Sequence, residues 1–235
     1  MSHLIVTVDI DWACESAIEE TLDFLKDKNI LPTIFSTHHS SRVEASMSEI
    51  EIGLHPYFDL NSSQGSCITE VVKYVMDLPH NLPAYRCHRF ASCNVSRQAM
   101  AEAGLLISSN VCTDLEIVPP FKDRFGLLEV PIFLEDGGYL WQKHPLEIKQ
   151  PLMEKIVSNE IKVITIHPMH FAINTPHFHY MQDIKKSVNR QSWSTMRKKT
   201  LNNLRWPGRG IRDLMIDLLQ CSPQTSSLGV LLAPS

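Results

Sequence analysis

Three apolar runs in this 235-residue chain each stop on a residue that can hold a metal or move a proton. Leu4-Ile-Val-Thr-Val8 runs into Asp9-Ile-Asp11, Glu51-Ile-Gly-Leu54 into His55-Pro56, and Val163-Ile-Thr-Ile166 into His167-Pro168. Apolar, β-branched runs that end this abruptly read as buried parallel strands delivering polar side chains at their C-terminal ends. Asp and His released together at strand ends suit a metal-hydrolase site on an α/β barrel. Asp9 and Asp11 are one residue apart, so on an extended segment their carboxylates point the same way. One can bind a hard or borderline divalent metal while the other takes a proton from water activated there. A helix first turn is an equally ordinary use of such a pair.

His55 can be a ligand, with Asp59 four residues on as a second, although a lone strand-end histidine is more often structural. His167 and His170, three apart, could form a metal pair on a turn. Pro168 directly after His167 disfavours a helical pair, which leaves one catalytic and the other touching substrate or a ligand. His38-His39, after the second predicted strand, can also line a pocket; His3, His80 and His144 read as structural or exposed.

The elements that must position these groups alternate from the start. Ser16-Ala-Ile-Glu19 has capping-box spacing, and Ile18, Leu22 and Leu25 give one apolar face of a helix reaching about Lys28. Strands are expected at 33–37, 51–54, 84–87, 105–108 and 127–130, and helices at 68–76 and 152–157. Asn94 can cap a short helix ending at Ala103-Gly104. A last strand is expected at 228–232. This βα alternation predicts a largely parallel sheet or barrel, and without an internal repeat or linker one domain spans 1–235.

Composition narrows the function. A net charge of −4 and a pI near 6.2 do not suit a nucleic-acid binder. Six scattered cysteines without a CxxC pair read as reduced thiols. Neither a basic stretch leading into an apolar one nor a run of membrane-spanning length is present, so a cytoplasmic location is expected.

Together these residues resemble the polysaccharide deacetylases, carbohydrate esterase family four. Thr-Val-Asp-Ile-Asp (7–11) looks like their first motif and Glu-Ile-Gly-Leu-His (51–55) like their second. Arg86-Cys-His-Arg89 stands at the place of their arginine motif, and His167 at their late histidine motif. Phe-Ser-Thr-His-His-Ser (35–40), Val-Pro-Ile-Phe-Leu-Glu-Asp (130–136) and Ile-His-Pro-Met-His-Phe-Ala-Ile-Asn-Thr (166–175) resemble a divergent branch encoded in bacterial surface-polysaccharide, O-antigen-like gene clusters. The resemblance covers roughly residues 4–180. It implies a single distorted (β/α) barrel that hydrolyses N-acetyl groups of sugars with one divalent metal, usually Zn²⁺.

Carried over residue by residue, Asp9 would be the general base, Asp11 and His55 metal ligands, and His167 the acid that protonates the leaving amine. Arg86 would hold the arginine position; it, Asp136 and, from their own placement, His38 and His170 are expected to contact substrate. Glu135-Asp136 stand where the family holds a carboxylate orienting the metal site or its arginine, although Gly137-Gly138 after them suggests an ordinary surface turn. The usual second histidine of motif two is replaced here by Asp59, and His88 stands where the arginine motif has proline. His88 and Asp59 are therefore the two candidates for third ligand. His88 is favoured by its place at the end of the fourth strand and by zinc's affinity for imidazole.

One feature falls outside the resemblance. Lys185, Lys186, Arg190, Arg197, Lys198, Lys199, Arg205, Arg209 and Arg212 lie in an interval with no Asp or Glu, interleaved with Trp193 and Trp206. A solvated helix face is the plain reading. The functional one is an anion site, with Arg205 and its neighbours on a nucleotide-sugar or sugar-diphosphate substrate, or contact with an acidic membrane surface. The expected function is metal-dependent removal of an N-acetyl group from a saccharide or glycan precursor. A related amidase acting on a non-sugar C–N bond and a catalytically silent glycan or anion binder are the alternatives.

Overall fold

The computed structural model describes residues 3–222 and 224–233. Its sheet comprises β1 His3–Asp9, β2 Thr33–Ser36, β3 Glu51–Leu54, β4 Ala84–Tyr85, β5 Ile107–Ser108, β6 Phe121–Lys122, β7 Leu128–Glu129, β8 Ile132–Glu135, β9 Ile161–Ile166 and β10 Thr225–Ser226. The order is β6-β7-β5-β4-β3-β2-β1-β9-β8, with β10 beside the start of β1. Among the described residues every strand pairing is parallel except β6 with β7.

The period of two along each strand sorts side chains into an inner and an outer set. On β1, Leu4, Val6 and Val8 pack outward against the helices, in one cluster with Ile18, Leu22 and Leu25 of helix Glu15–Asp27. Ile5 points the other way, into a cluster with Phe35, Ala84, Ile107, Val130, Ile132 and Val163. This inner cluster draws on residues from β1 to β9, so the sheet curls around it. Curling is completed where the segment after β5 runs beside β8: Cys112 bridges to Ile132, and Ile132 N donates to Val111 O (2.8 Å). The result is the expected α/β barrel, distorted because the chain pairs with β7 at β5 and reaches β8 only beyond it, at Cys112.

Most expected elements form as read. Helices Glu15–Asp27, Ile68–Met76, Asn94–Glu102 and Gln150–Val157 connect successive parallel strands. Three expectations are corrected. The first helix begins at Glu15 with Cys14 as N-cap, so Ser16 and Glu19 lie inside it and make no capping box. Residues 228–232 form a 3₁₀ turn, not a strand; Leu228 enters the inner cluster and Gly229 N donates to Glu51 Oε2 (2.9 Å). Asn94 lies inside helix Asn94–Glu102, whose N-cap is Cys93. The proline after His167 acts as expected: His167 stays extended, and Pro168 opens the short helix Pro168–Ala172, where a proline lacks only an N–H that would be unpaired anyway.

Candidate metal centre and catalytic cleft

The turn after β1 leaves the strand in an unusual way. Asp11 (φ 41°) and Trp12 (φ 52°) both adopt the left-handed conformation, which is uncommon for a side chain as large as tryptophan. That turn is held by Ala13 N donating to Ile10 O (2.6 Å) and Trp12 N donating to Thr37 Oγ1 (3.2 Å). It brings the Asp11 carboxylate over the ends of β3 and β4. Asp11 Oδ1 lies 3.1 Å from His55 Nε2 and 2.9 Å from His88 Nδ1. One ligand atom from each of the three residues lies within 4.8 Å of the other two. Burial would raise the Asp11 carboxyl, but the charge of His167 and hydrogen bonds with His55 and His88 outweigh it and hold it well below its ordinary value. Trp12 (ring centroids 5.1 Å) and Tyr57 (4.9 Å) press edge-on against the His88 ring and fix its plane.

Asp9 and Asp11 have different surroundings. Asp9 is fully buried at the end of β1, and its Oδ1 accepts from Arg86 Nη1 at 2.8 Å. Its Oδ2 has no hydrogen-bond partner although it is buried, as is true of His55 Nδ1. A buried carboxylate oxygen is seldom left unpaired in a finished core, so the site is shaped for something beyond the chain's own atoms. Two imidazoles and a carboxylate, with no Lys or Arg among them, are a donor set that suits a divalent ion of borderline hardness.

Arg86 corrects an expectation. It is wholly buried and spends its donors inside the barrel, on Asp9, Thr7 and Thr165 through Nη1 and on Ser109 through Nε and Nη2. Its guanidinium also lies over the Phe35 ring, 4.5 Å from the centroid. With no surface left to meet substrate, Arg86 is the ion-pair partner that holds the Asp9 carboxylate in place.

On the other side of β1, His167 leaves the end of β9 and Asp136 the end of β8. Asp136 accepts from His167 N (2.7 Å) through Oδ2, and its Oδ1 lies 2.5 Å from His167 Nδ1. His167 Nε2 is thereby turned toward Asp11 Oδ2, 3.5 Å away. Burial opposes protonation of His167, but the carboxylates of Asp136, Asp11 and Glu135 outweigh it and raise its basicity well above the ordinary value. The Glu135-Asp136-Gly137-Gly138 stretch is no plain surface turn. It opens helix Asp136–Trp141, with Glu135 as N-cap accepting from Gly137 N (2.8 Å) and from Gly138 N. Burial lifts the Glu135 carboxyl to about 7, against the pull of His167 and those amides. His170 lies beside this group, ring centroid 6.0 Å from that of His167. Burial lowers it to about 4, and its Nδ1 sits 3.1 Å from Thr175 Oγ1.

Asp9, Asp11, His55, His88, Glu135, His167 and His170 all line one cleft of about 770 Å³. Asp59 is not in its lining; it accepts from Leu60 N (2.7 Å) and Tyr57 Oη (3.2 Å) in the loop after β3. Nor is His38, whose Nδ1 sits 2.8 Å from Thr37 Oγ1 and whose basicity is lowered by burial. Arg205 is also brought elsewhere. It forms a double hydrogen bond to Glu20 (2.6 and 2.7 Å), which Arg212 joins, while Arg209 pairs with Asp217. These arginines line a separate, open depression with Asn174 and Trp206. The cleft wall carries residues not singled out as site residues from the sequence: Trp141, Phe178, Met181, Gln182 and Lys185. Only Lys185, with Trp193 behind it, had a signal, as the start of the basic interval.

Comparison with known proteins agrees with this fold. The family model of the WbmS-like polysaccharide deacetylases matches residues 6–185. No curated protein matches the sequence. Among solved structures, a candidate polysaccharide deacetylase involved in O-antigen biosynthesis from Bordetella bronchiseptica (WbmS) superposes with a TM-score of 0.78 at 21% identity, over 92% of this chain and 89% of that one. A candidate polysaccharide deacetylase from Mycobacterium smegmatis is similar at a TM-score of 0.48 and 15% identity, covering 87% and 91%. A family-four pseudoenzyme from Bacillus anthracis gives 0.46 at 10%, covering 99% of this chain and 66% of that one. The barrel is that of the polysaccharide deacetylases, and the chain belongs to their WbmS-like family.

Proposed function

We propose that this protein is a metal-dependent deacetylase that removes an N-acetyl group from a saccharide or a sugar-diphosphate-linked precursor during surface-polysaccharide synthesis. The carrying observation is the convergence of Asp11, His55 and His88 beside a buried Asp9 with a free Oδ2, facing a His167 oriented by Asp136. A divalent ion held by Asp11, His55 and His88, best suited to be Zn²⁺, would supply Lewis acidity for the amide carbonyl and make nearby water more acidic.

The chain's own groups do the rest. Water adds to the amide carbonyl carbon and gives a proton to Asp9 Oδ2, the oxygen left free while Oδ1 pairs with Arg86. The C–N bond then breaks, and the departing nitrogen takes a proton from His167 Nε2. Asp136 on Nδ1 supports this role, since it favours the charged imidazole and leaves Nε2 facing the cleft. The products are acetate and a free amino sugar. His170, being uncharged above about pH 4, serves as a polar wall, not a second acid.

The test is metal analysis of the purified protein together with acetate release from acetamido saccharides, free and diphosphate-linked. One equivalent of divalent metal and metal-dependent acetate release support the proposal. Protein without stoichiometric metal that binds saccharides and releases no acetate would make it a silent binder.

A further inference from the structure

The cleft is unevenly charged. Its carboxylates are committed: Asp9 to Arg86, Asp11 to His55 and His88, and Glu135 to His167 (3.3 Å) and the amides of Gly137 and Gly138. Of the cations in its lining, Arg89 pairs with Asp59 at 3.5 Å. Lys185, on helix Phe178–Ser187, has no carboxylate within ion-pair distance among the described residues. The nearest acid along its own helix, Asp183, pairs with Lys186 at 3.6 Å. Lys185 Nζ instead lies 5.3 Å from the centre of the Trp193 ring, which also lines the cleft. Its charge reaches the catalytic end, because it disfavours protonation of His170.

On the same wall Trp141 lies edge-on to Phe178, ring centroids 5.0 Å apart, and Trp141 is 62% exposed. Exposed aromatic faces beside an unpaired ammonium can stack a sugar ring while the cation meets a charged substituent. We propose that Lys185 and Trp193 form a subsite for an anionic substituent, carboxylate or phosphate, on the acetamido saccharide. This rests on the deacetylase reading and deepens it. It also moves the anion contact away from Arg205, Arg209 and Arg212, which are each engaged by Glu20 or Asp217.

The experiment measures equilibrium binding to the full chain, and acetate release, with three probes. They are N-acetylglucosamine, N-acetylglucosamine 1-phosphate and 2-acetamido-2-deoxyglucuronic acid. Binding of at least one anionic probe should exceed that of the neutral sugar, and the phosphate and carboxylate arms show which substituent fits. In Lys185→Met that probe should bind about fivefold more weakly, the scale of one partly exposed charge pair, while the neutral sugar changes little. Lys185→Arg should keep the preference, and added salt should shrink it. Equal affinity for charged and neutral probes, no binding of any probe, or an equal loss on all of them in Lys185→Met overturns the subsite. Acetate release without anion preference sinks the subsite and keeps the deacetylase; anion preference without acetate release does the reverse.

Discussion

Asp136 grips His167 at two points, taking the main-chain N–H through one carboxylate oxygen and facing ring Nδ1 with the other. The imidazole can therefore neither rotate nor exchange its tautomer without breaking a buried contact. Asp136→Asn should lower kcat about 10- to 100-fold with little change in KM, the usual scale for a group acting through its neighbour. Metal content should stay at the wild-type level. Loss of the metal along with activity would reassign Asp136 to the donor cluster.

His88 and Asp59 compete for the third ligand position, and the cleft contains only the first. His88→Ala should abolish stoichiometric metal binding, read by elemental analysis after dialysis, and Asp59→Ala should not. A chelator should remove both metal and activity from the wild type, and added Zn²⁺ should restore them. The opposite mutational result would move the site into the loop after β3.

Asp9→Asn should reduce acetate release by roughly 10²–10⁴-fold, because an amide cannot accept the proton from water. It should also destabilise the fold, since Arg86 would be left buried without its counter-ion. The double variant Asp9→Asn/Arg86→Gln should recover part of that lost Tm and none of the activity. A stability loss that simply adds across the two sites would mean the pair is not coupled.

His170 gives a pH test. Its lowered basicity keeps the ring neutral above about pH 4, so neither limb of a rate profile near neutrality should belong to it. His170→Gln should leave both limbs in place. A histidine with folded pKa below its unfolded value loses stability as pH falls from the unfolded value toward about 4. The variant's Tm should accordingly fall less steeply than wild type over that window.

Glu20 receives both Arg205 and Arg212 at a nearly covered position on helix Glu15–Asp27. Glu20→Ala should cost about 1–3 kcal/mol in denaturant unfolding by leaving two guanidinium groups unpaired, with little change in kcat. A large fall in activity with an intact fold would restore the arginines to a role in substrate binding.

Much of the candidate site could be read along the chain because its residues sit at strand ends, where a run of apolar residues stops. Asp9, Asp11, His55 and His167 were legible for that reason, and His88 by extension from β4. What was not legible is set by register and packing. Asp136 meets His167 across 31 residues because β8 pairs with β9. Arg205 meets Glu20 across 185 residues because the C-terminal helices lie on the first one. Part of the imbalance of the basic interval came from counting its charges along the chain: Arg205, Arg209 and Arg212 find their acids in Glu20 and Asp217, outside it, while Lys185 stays without one among the described residues. Arg86 was misread as a substrate contact because an arginine inside a barrel is rare, and nothing local announces that Thr7, Thr165 and Ser109 will surround it.

The strand order has a consequence of direction. β1, carrying Asp9, stands between two flanks: β2, β3 and β4 lead to His55 and His88, and β9 and β8 lead to His167 and Asp136. On the proposed roles, a substrate amide must lie across β1 with its nitrogen toward the β9 flank, where the acid waits. The sugar attached to that nitrogen then extends the same way, toward Trp141 and Phe178, and the small acetyl group lies toward the histidine pair. On those roles the barrel is a one-way jig: an amide laid down in reverse would put its nitrogen on the flank away from His167.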